Sequence, residues 1–267
     1  MKIFLSPEKI DSVIKEFYLN YFKNSGFSKA FVAISGGVDS AAIIYLSVKI
    51  LGPENIIAAF LPSLVTSEES KLLVDKIIDD LKIKNFYSIN IEPFILPYLN
   101  YDPKLQNDQY KNKLRLGNIM ARIRMILSYD LAAKHNALVV GTENKTEYLL
   151  GYSTQWGDSA AAFHPMGDIY KTEVFSYARF LKVPDQIINR NPTAELWHNQ
   201  TDEEEIGVKY KIIDQILYYI FDKNLDKNQI IKKGFNEEDI DKIITLINKS
   251  EYKRRLPLSP SFKNLRE

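Results

Sequence analysis

The sequence of 267 residues contains no cysteine, and this absence removes several kinds of site at once. It excludes disulfide bonds, thiolate metal centres and every mechanism that depends on a cysteine nucleophile. Long apolar runs are also missing, since no stretch reaches the length of a membrane-spanning helix. Residues 1–17 lack the apolar core and the small-residue cleavage site of a secretion signal. We therefore expect a cytoplasmic protein with no membrane partner.

An excess of charge of either sign is lacking too, because 35 Lys and Arg residues balance 34 Asp and Glu residues. The net charge of +1 gives no electrostatic reason to expect nucleic acid as a partner. Internal repeats, low-complexity tracts and Gly/Ser linkers are absent, and 45% of the residues are hydrophobic. No break in composition requires a second domain, so residues 1–267 are expected to form one domain.

Helical and extended hydrophobic patterns alternate along the chain, as they do in βαβ units. They predict an α/β fold: a doubly wound parallel sheet flanked by helices, with a mainly helical C-terminal part. Thr66 and Glu69 have the spacing of a helix-capping box. Residues 151–168 and 191–205 lack a regular pattern and are expected to be functional loops. The predicted strands cover residues 30–34, 56–61, 86–91 and 137–141. One predicted helix begins at Pro7 and a second follows Ser40. Two more helices are predicted over residues 66–83 and 108–135.

The segment Ser35-Gly36-Gly37-Val38-Asp39-Ser40 joins the first predicted strand to a helix, and its composition is that of an anion-binding loop. Backbone N–H groups of residues 36–39 would converge at the helix N-terminus, and glycine lets the backbone approach the anion closely. Ser35 and Ser40 add hydroxyl groups. The segment is neither a Walker loop nor a G-x-G-x-x-G motif. A plain tight turn between strand and helix is the alternative.

This loop resembles the SGGxDS signature of the ATP pyrophosphatases, which holds the β- and γ-phosphates while ATP is cleaved between its α- and β-phosphates. Further stretches, spread over nearly the whole chain, are similar to the NAD synthetase branch of that family. The resemblance implies an adenine nucleotide alpha-hydrolase-like fold, with an ATP pyrophosphatase core over residues 25–185 and a helical segment over 186–267. The stretches are GNIMARIRM at 117–125, VGTENKTE at 140–147, Gly157-Asp158 with Pro165 and KTE at 171–173, PTAEL at 192–196 and EYKRR at 251–255.

The resemblance also implies roles for single residues. Mg²⁺ would be held by Asp39 and Glu147, and Lys171 would reach an ATP phosphate. The implied contacts to ATP come from Ala33, Ile34, Ser35, Gly36, Gly37, Val38, Asp39, Ser40, Thr142, Lys171 and Thr193.

Deamido-NAD, the implied second substrate, would contact Arg122 and Lys253. Three further substrate positions differ from the best-known members of the family. Gln155, Ala162 and Tyr252 occupy them, where lysine, aspartate and histidine are often found. These differences concern the nicotinate half of the substrate and leave the ATP machinery unchanged.

The implied activity is an ammonia-dependent NAD synthetase, a ligase that forms a C–N bond. The nicotinate carboxylate attacks the α-phosphate of ATP, pyrophosphate leaves, and ammonia converts the acyl-adenylate to the amide with release of AMP. Asp158 is a candidate for orienting ammonia or taking its proton. Glutamine-dependent versions need a cysteine nucleophile, so a chain without cysteine is expected to use free ammonia. The implied assembly is a homodimer with the dinucleotide at the interface.

Two other classes stay open on the residues alone. The acceptor could be different, as in a GMP-synthetase-like or tRNA-modifying ligase, which a substrate panel would reveal. The chain could also be an ATP-binding regulatory module without turnover, although such a module rarely needs two magnesium carboxylates and a distant lysine. Each residue has a structural alternative as well: Glu147 could serve a helix N-terminus, and Arg122 could be a surface charge.

Overall fold

The computed structural model describes residues 4–107, 109–193, 195–197 and 200–262. At its centre four parallel strands form a sheet in the order β3-β2-β1-β4. This confirms the predicted α/β fold with a parallel sheet flanked by helices. The strands are β1 (Lys29–Ala33), β2 (Ile56–Phe60), β3 (Asn85–Ser88) and β4 (Ala137–Val139).

Both faces of the sheet are buried, and the side chains of each central strand alternate between two separate cores. Ala30 and Val32 of β1 belong to one core, whereas Phe31 between them belongs to the other. The same alternation continues in β2, because successive side chains of a strand point to opposite faces. Strands buried on both faces are therefore continuous apolar runs in the sequence.

Helices cover both faces, as a doubly wound sheet requires. The first core packs the sheet against α1, α2, α3, α7 and α8, and the second packs it against α4 and α5. None of the helices in the described ranges is long and apolar enough to cross a membrane. The helices of these two layers are α1 (Pro7–Ser25), α2 (Val38–Leu51), α3 (Glu68–Leu81), α4 (Glu92–Tyr101), α5 (Tyr110–His135), α7 (Lys171–Phe180) and α8 (Asp185–Ile188).

A third apolar core joins α6 to the C-terminal helices. Leu149 and Leu150 of α6 and Tyr170, which precedes α7, contribute to it, so the C-terminal helices pack against α6 and α7. The helices of this layer are α6 (Lys145–Leu150), α9 (Asp202–Ile206), α10 (Tyr210–Leu217), α11 (Lys227–Ile231) and α12 (Glu237–Lys249), and a π-helical turn (Tyr218–Asp222) follows α10.

The strand order reverses between β1 and β4. β2 and β3 follow β1 on one side, and the chain then returns to pair β4 with the other side of β1. In open α/β sheets, ligands bind in the crevice outside the carboxyl ends of the strands at such a point. The two loops that leave β1 and β4 are therefore the first place to look for a site.

Several local predictions were wrong. The N-cap of α3 is Ser67, whose side chain accepts from the backbone of Ser70, while the Thr66 hydroxyl accepts from the backbone of Ser63. The third strand was predicted to reach residue 91, but it ends at Ser88, and Ile91 is already the N-cap of α4. The sequence patterns did not predict α4. The predicted start of α5 at Asp108 lies outside the described residues.

Candidate active site

The loop after β1 forms the bottom of the crevice. Gly36 has a positive φ of 81°, and a Cβ atom there would lie 3.0 Å from the carbonyl oxygen of Ser70. A left-handed conformation and close backbone packing both favour glycine. Gly37 is the N-cap of α2 and offers no side chain to the first turn. The N-terminal N–H groups of this helix, which has 14 residues, are therefore not occupied by a side-chain cap.

Two serines close this loop on itself. The Ser40 hydroxyl accepts from the backbone N–H of Ser35 at 3.2 Å and donates to the carbonyl of Gly37 at 3.1 Å. The Ser35 hydroxyl accepts from the N–H of Gly37 at 3.3 Å. These bonds fix the turn in the shape that an anion would meet.

Not every residue predicted to touch ATP can do so with its side chain. The side chains of Ile34 and Val38 are buried in the first core, so only their backbone atoms face the loop. Ala33 is half-buried at the end of β1. Thr142 lies just past β4, directly across the strand-order reversal from the glycine loop.

The loop after β4 brings Glu147 into the crevice through a capping box. The side chain of Asn144 accepts from the backbone of Glu147, and Oε2 of Glu147 accepts from the backbone of Asn144. Glu147 thus serves the N-terminus of α6, which was the structural alternative for this residue. Its second oxygen, Oε1, stays free for another partner.

That partner is Lys171, which joins the two predicted metal ligands. Its Nζ donates to Oδ2 of Asp39 at 2.5 Å and to Oε1 of Glu147 at 2.9 Å. Asn144, a residue that the sequence analysis missed, donates from Nδ2 to Oδ1 of Asp39 at 2.8 Å. Three elements, α2, α6 and α7, therefore meet at one point, and each supplies one charged side chain.

Burial and charge act in opposite directions at this point. The Lys171 side chain is only 2% exposed. Burial lowers the pKa of Lys171, but Asp39 and Glu147 raise it by more, so the net shift is upward and the lysine stays protonated. Burial raises the pKa of Glu147, and the positive charge of Lys171 opposes that shift. A protonated lysine thus occupies the space between the two carboxyl groups.

Two more acidic residues, which the sequence analysis also missed, lie close enough to this lysine to interact with it electrostatically. Asp214 accepts from the Thr146 hydroxyl at 2.6 Å and from the Thr172 backbone at 2.7 Å, and this ties α10 to the N-terminus of α7. Asp202 accepts from the hydroxyl of Tyr210 at 3.0 Å. The polar pattern of residues 202–255 predicted mainly solvated faces, but both of these carboxyl groups are buried.

The residues predicted to contact the second substrate form a separate group beside the first. Nη2 of Arg122 donates to the carbonyl of Gln155 at 3.2 Å, and Nε2 of Gln155 donates to the carbonyl of Tyr252 at 3.4 Å. Lys253 donates to the carbonyls of Gly151 and Ser153 at 2.8 and 2.7 Å. α5, the segment 151–168 and the C-terminal segment thus converge.

Ala162 and Asp158, from the same segment, lie in different surroundings. Ala162 packs against the first core, while its backbone pairs with Val139 and accepts from the hydroxyl of Tyr21 at 2.8 Å. Asp158 is exposed, and its Oδ1 accepts from the backbone of Thr154 at 2.8 Å. Lys253 lies close enough to Asp158 to interact electrostatically.

Thr193 lies on a segment that is tied down onto α3. Its hydroxyl accepts from the backbone of Glu195 at 3.1 Å. Oε1 of Glu195 in turn accepts from the hydroxyls of Ser67 and Ser70 and from Nη2 of Arg190, at 2.7–2.9 Å. Ala194, in the predicted motif, lies outside the described residues.

Within the part of the chain that the structure describes, no group of three or more His, Cys, Asp or Glu side chains is placed to hold a metal ion. The crevice instead offers two carboxyl groups, Asp39 and Glu147. Mg²⁺ in nucleotide sites is commonly held by one or two carboxylates, with water and substrate phosphates as the other ligands. This donor set fits a metal that arrives with a nucleotide.

Comparisons with known proteins agree with this geometry. The family model described as NAD synthase matches residues 10–257. The NH(3)-dependent NAD(+) synthetase of Fusobacterium nucleatum is 42% identical over 262 residues, which are 98% of this chain and 99% of that protein.

Two solved structures are similar over almost the whole chain. The NMN synthetase from Francisella tularensis has a TM-score of 0.83 and 30% identity, with 97% of this chain and 100% of that one covered. The NH3-dependent NAD synthetase from Campylobacter jejuni, in complex with the nitrate ion, has a TM-score of 0.79 and 27% identity, with 96% and 100% covered. Because the family model and a relative of high coverage agree, this chain belongs to the NAD synthase family.

Proposed function

We propose that this protein catalyses the ATP-dependent amidation of deamido-NAD with ammonia, the last step of NAD biosynthesis, and releases AMP and pyrophosphate. The observation that carries the proposal is the position of Lys171. Its ammonium group lies between Asp39 and Glu147, beside an open helix N-terminus and at the reversal of strand order. This arrangement suits the transfer of an adenylyl group in a member of the NAD synthase family.

Asp39 and Glu147 are the residues that would hold Mg²⁺. They already converge on one positive charge, the ammonium of Lys171, so their oxygens are oriented towards a cation. When bound, the ion would neutralise negative charge on the departing pyrophosphate.

The chain's own groups perform the adenylation. N–H groups of Gly36, Gly37 and the first turn of α2 would bind the terminal phosphates, and Thr142 and Thr193 would flank the nucleotide. Lys171 would place its positive charge near the α-phosphate, where negative charge develops as the nicotinate oxygen attacks. Positioning and charge neutralisation are the main contributions to phosphoryl transfer.

Arg122, Gln155, Tyr252 and Lys253 would bind deamido-NAD. Their mutual contacts support one continuous binding surface next to the ATP crevice. Ala162 brings no charge to that surface, so Arg122 and Lys253 carry most of the recognition of an anionic substrate. The segments 151–168 and 191–205 would shield the acyl-adenylate from water.

Ammonia is the proposed nitrogen source because the chain has no cysteine to release it from glutamine. Residues 1–267 would act as one unit, with the ATP pyrophosphatase core over 25–185 and the helical segment over 186–267. We place the protein in the cytoplasm, where ATP is supplied, with neither membrane nor nucleic acid as a partner.

The active form would be a homodimer with the dinucleotide at the interface. Large apolar side chains are exposed on α1 and α5, including Val13 at 68% and Ile126 at 59%. Tyr129 of α5 lies within electrostatic range of Tyr21 of α1, so the two exposed faces are neighbours. Tyr21 also donates to Ala162, and this bond links that face to the segment that carries Asp158 and Gln155.

A second acceptor is favoured by one observation. The Francisella structure, similar over its whole length, is an NMN synthetase. Nicotinate mononucleotide has the same carboxylate and lacks the second nucleotide. It is the alternative substrate for this chain.

One end-point experiment tests the proposal. The purified protein is incubated with Mg-ATP and either deamido-NAD or nicotinate mononucleotide, with ammonium or glutamine as nitrogen source. We expect NAD, AMP and pyrophosphate in equal amounts from deamido-NAD and ammonium. Faster turnover of the mononucleotide would support the alternative acceptor. Amide without AMP, or no product from either acid, would contradict the proposed function.

A further inference from the structure

A cavity of about 300 Å³ lies beside the proposed nucleotide crevice, and Gln155 and Lys253, two of the proposed contacts to deamido-NAD, are among its lining residues. Three segments line it: Glu143 from the loop after β4, Trp156 and His164 from the segment 151–168, and residues 253–256 near the C-terminus. Because Gln155 and Lys253 belong to its wall, the cavity adjoins the proposed acceptor site. A space of this size suits a small molecule or ion.

Glu143 supplies the carboxyl group of the cavity wall. Its side chain is only 10% exposed. Burial raises the pKa of Glu143 to about 7, while a hydrogen bond from Ser153 and the charge of Lys253 lower it and Asp158 raises it. Near neutral pH this carboxyl group can therefore both bind a cation and accept a proton.

The same wall already solvates an ammonium group. Nζ of Lys253 donates to the carbonyls of Gly151 and Ser153, close to the carboxyl groups of Glu143 and Asp158. His164 adds no competing charge, because burial lowers its pKa, and its Nε2 bonds to the carbonyl of Ser159 at 3.1 Å. Carbonyl and carboxylate oxygens are the partners that the N–H groups of an ammonium ion need.

The other charged groups of the wall are two arginines, and both of them are engaged by other partners. Arg254 donates to the carbonyls of Leu149 and Ile247 and to the Ser250 hydroxyl, which draws its guanidinium towards α6 and α12. Arg255 forms an ion pair with Glu251. Tyr148 of the wall donates to the carbonyl of Arg254. Glu143 is thus the carboxyl group of the lining that is left to meet an incoming cation.

We propose that this cavity admits an ammonium ion and that Glu143 binds the ion and accepts one of its protons. The proposal rests on the proposed function and assigns the preparation of its nucleophile to Glu143, whereas Asp158, the candidate that the sequence suggested for this step, is not among the lining residues of the cavity. The ionised Glu143 takes a proton from NH₄⁺ and becomes a carboxylic acid, and NH₃ is released with its lone pair free. The lone pair forms the C–N bond as the C–O bond to AMP breaks, and the second surplus proton passes to the AMP phosphate or to water.

The test is the Glu143→Gln variant with two nitrogen nucleophiles. Glu238→Gln, at an exposed position on α12, is the matched control. Ammonium must lose a proton before it can attack, whereas hydroxylamine is neutral at pH 7.5 and attacks with its lone pair already free, so that only the proton released on hydroxamate formation has to leave. In Glu143→Gln we expect the KM for ammonium to rise about ten- to a hundredfold, because the variant loses one charge-assisted hydrogen bond to the ion. The ratio of ammonium to hydroxylamine reactivity should fall by the same factor.

A pH series gives a second readout. In the wild type, the KM expressed as ammonium ion should stay constant above about pH 7 and rise below it, as Glu143 becomes protonated. In Glu143→Gln the KM should instead be independent of pH when it is expressed as the concentration of free ammonia. An unchanged KM, or an equal fall with both nucleophiles, would overturn the inference. If the wild type releases no pyrophosphate from ATP and the acid, the proposed function itself fails.

Discussion

The Nζ of Lys171 lies 2.5 Å from Oδ2 of Asp39, although 132 positions separate the two residues in the chain. Asp39 stands in the first turn of α2 and Lys171 in the first turn of α7, so the pair joins the start of two helices that pack on the same face of the sheet. Glu147 completes the arrangement. A lysine this deeply buried is stable only because it has two carboxyl partners.

A variant without Lys171 tests how much the stability of the fold depends on this group of three charged side chains. We expect Lys171→Met to lower the free energy of unfolding by about 3–5 kcal/mol, since Asp39 and Glu147 would be left without a counter-charge. Adding Mg²⁺ should recover part of the loss, because the ion can take the place of the ammonium. Urea denaturation with and without MgCl₂ measures both effects. If Mg²⁺ stabilises the wild type and the variant equally, the two carboxyl groups do not share a metal.

Asp39 itself is tested by a change of charge at nearly constant shape. Asp39→Asn should reduce adenylation about 10²- to 10³-fold, the loss typical of one electrostatic contact to a transition state. Its melting temperature should also fall, because Asp39 is one of the two carboxyl partners of the buried Lys171, so the rate is measured well below that temperature. Pyrophosphate release measures the rate, and Asp75→Asn on the exposed side of α3 is the control. Full activity in Asp39→Asn would contradict the proposed metal role.

The raised pKa of Glu143 predicts a pH dependence of stability. Its pKa is about 7 in the folded chain and 4.5 ordinarily, so between these values the folded state holds a proton that the unfolded state has lost. Stability from this group is complete below pH 4.5 and declines as pH rises to about 7. Relative to wild type, Glu143→Gln should therefore gain on the order of 3 kcal/mol across this window. A difference that does not vary with pH, measured by urea denaturation, would rule out the buried carboxyl group.

Gly141 should not tolerate even a methyl group. A Cβ atom at this position would lie 2.2 Å from Nδ1 of His164 and 2.8 Å from the Cβ of Ala161. We expect Gly141→Ala to destabilise the protein by about 1–3 kcal/mol through overpacking. Adding His164→Ala should restore part of that loss, since the closer of the two contacts disappears. Thermal unfolding of the single and double variants measures the recovery, and a fully stable single variant would contradict the packing argument.

The tie between Arg190 and Glu195 predicts an effect on ATP binding. Arg190→Ala removes a donor that helps to hold Glu195 against Ser67, and Thr193 precedes Glu195 by two residues. We expect the KM for ATP to rise about tenfold, the value of one charged hydrogen bond, with a smaller change in kcat. Arg179→Ala, whose guanidinium donates to the carbonyl of Phe175 on its own helix, is the control. An unchanged KM would mean that this segment does not position Thr193 for the nucleotide.

The sequence predicted much of the fold, because strands that are buried on both faces are short apolar runs between helical patterns. The exceptions have local causes. Thr66 and Glu69 have the right spacing for a capping box, but Ser67, one residue later, makes the cap. α4 escaped prediction because it contains Pro97 and has mainly apolar side chains without a clear stripe.

Some residues of the candidate site were also predicted from the sequence, and others were not. Asp39, Glu147 and Lys171 stand in motifs of recognisable order, and the structure joins them at one point. Asn144 could have been noticed, since Asn at that distance before Glu147 is a capping pattern. Asp202 and Asp214 carried no such signal, because carboxyl groups in polar helical stretches are usually exposed. Glu143 stands inside the VGTENKTE stretch, but nothing in that pattern marks its carboxyl group as buried.

What the sequence determined by itself was the order of the four strands and of the helices between them except α4, the glycine turn before α2 and the family to which the chain belongs. These depend on local patterns: hydrophobic period, backbone freedom at glycine, and motif order. Only the tertiary structure decided which charges meet. Lys171 reaches Asp39 because β4 pairs beside β1 and brings the starts of α2, α6 and α7 together. Glu143 has a pKa near 7 because distant segments enclose it and remove it from water.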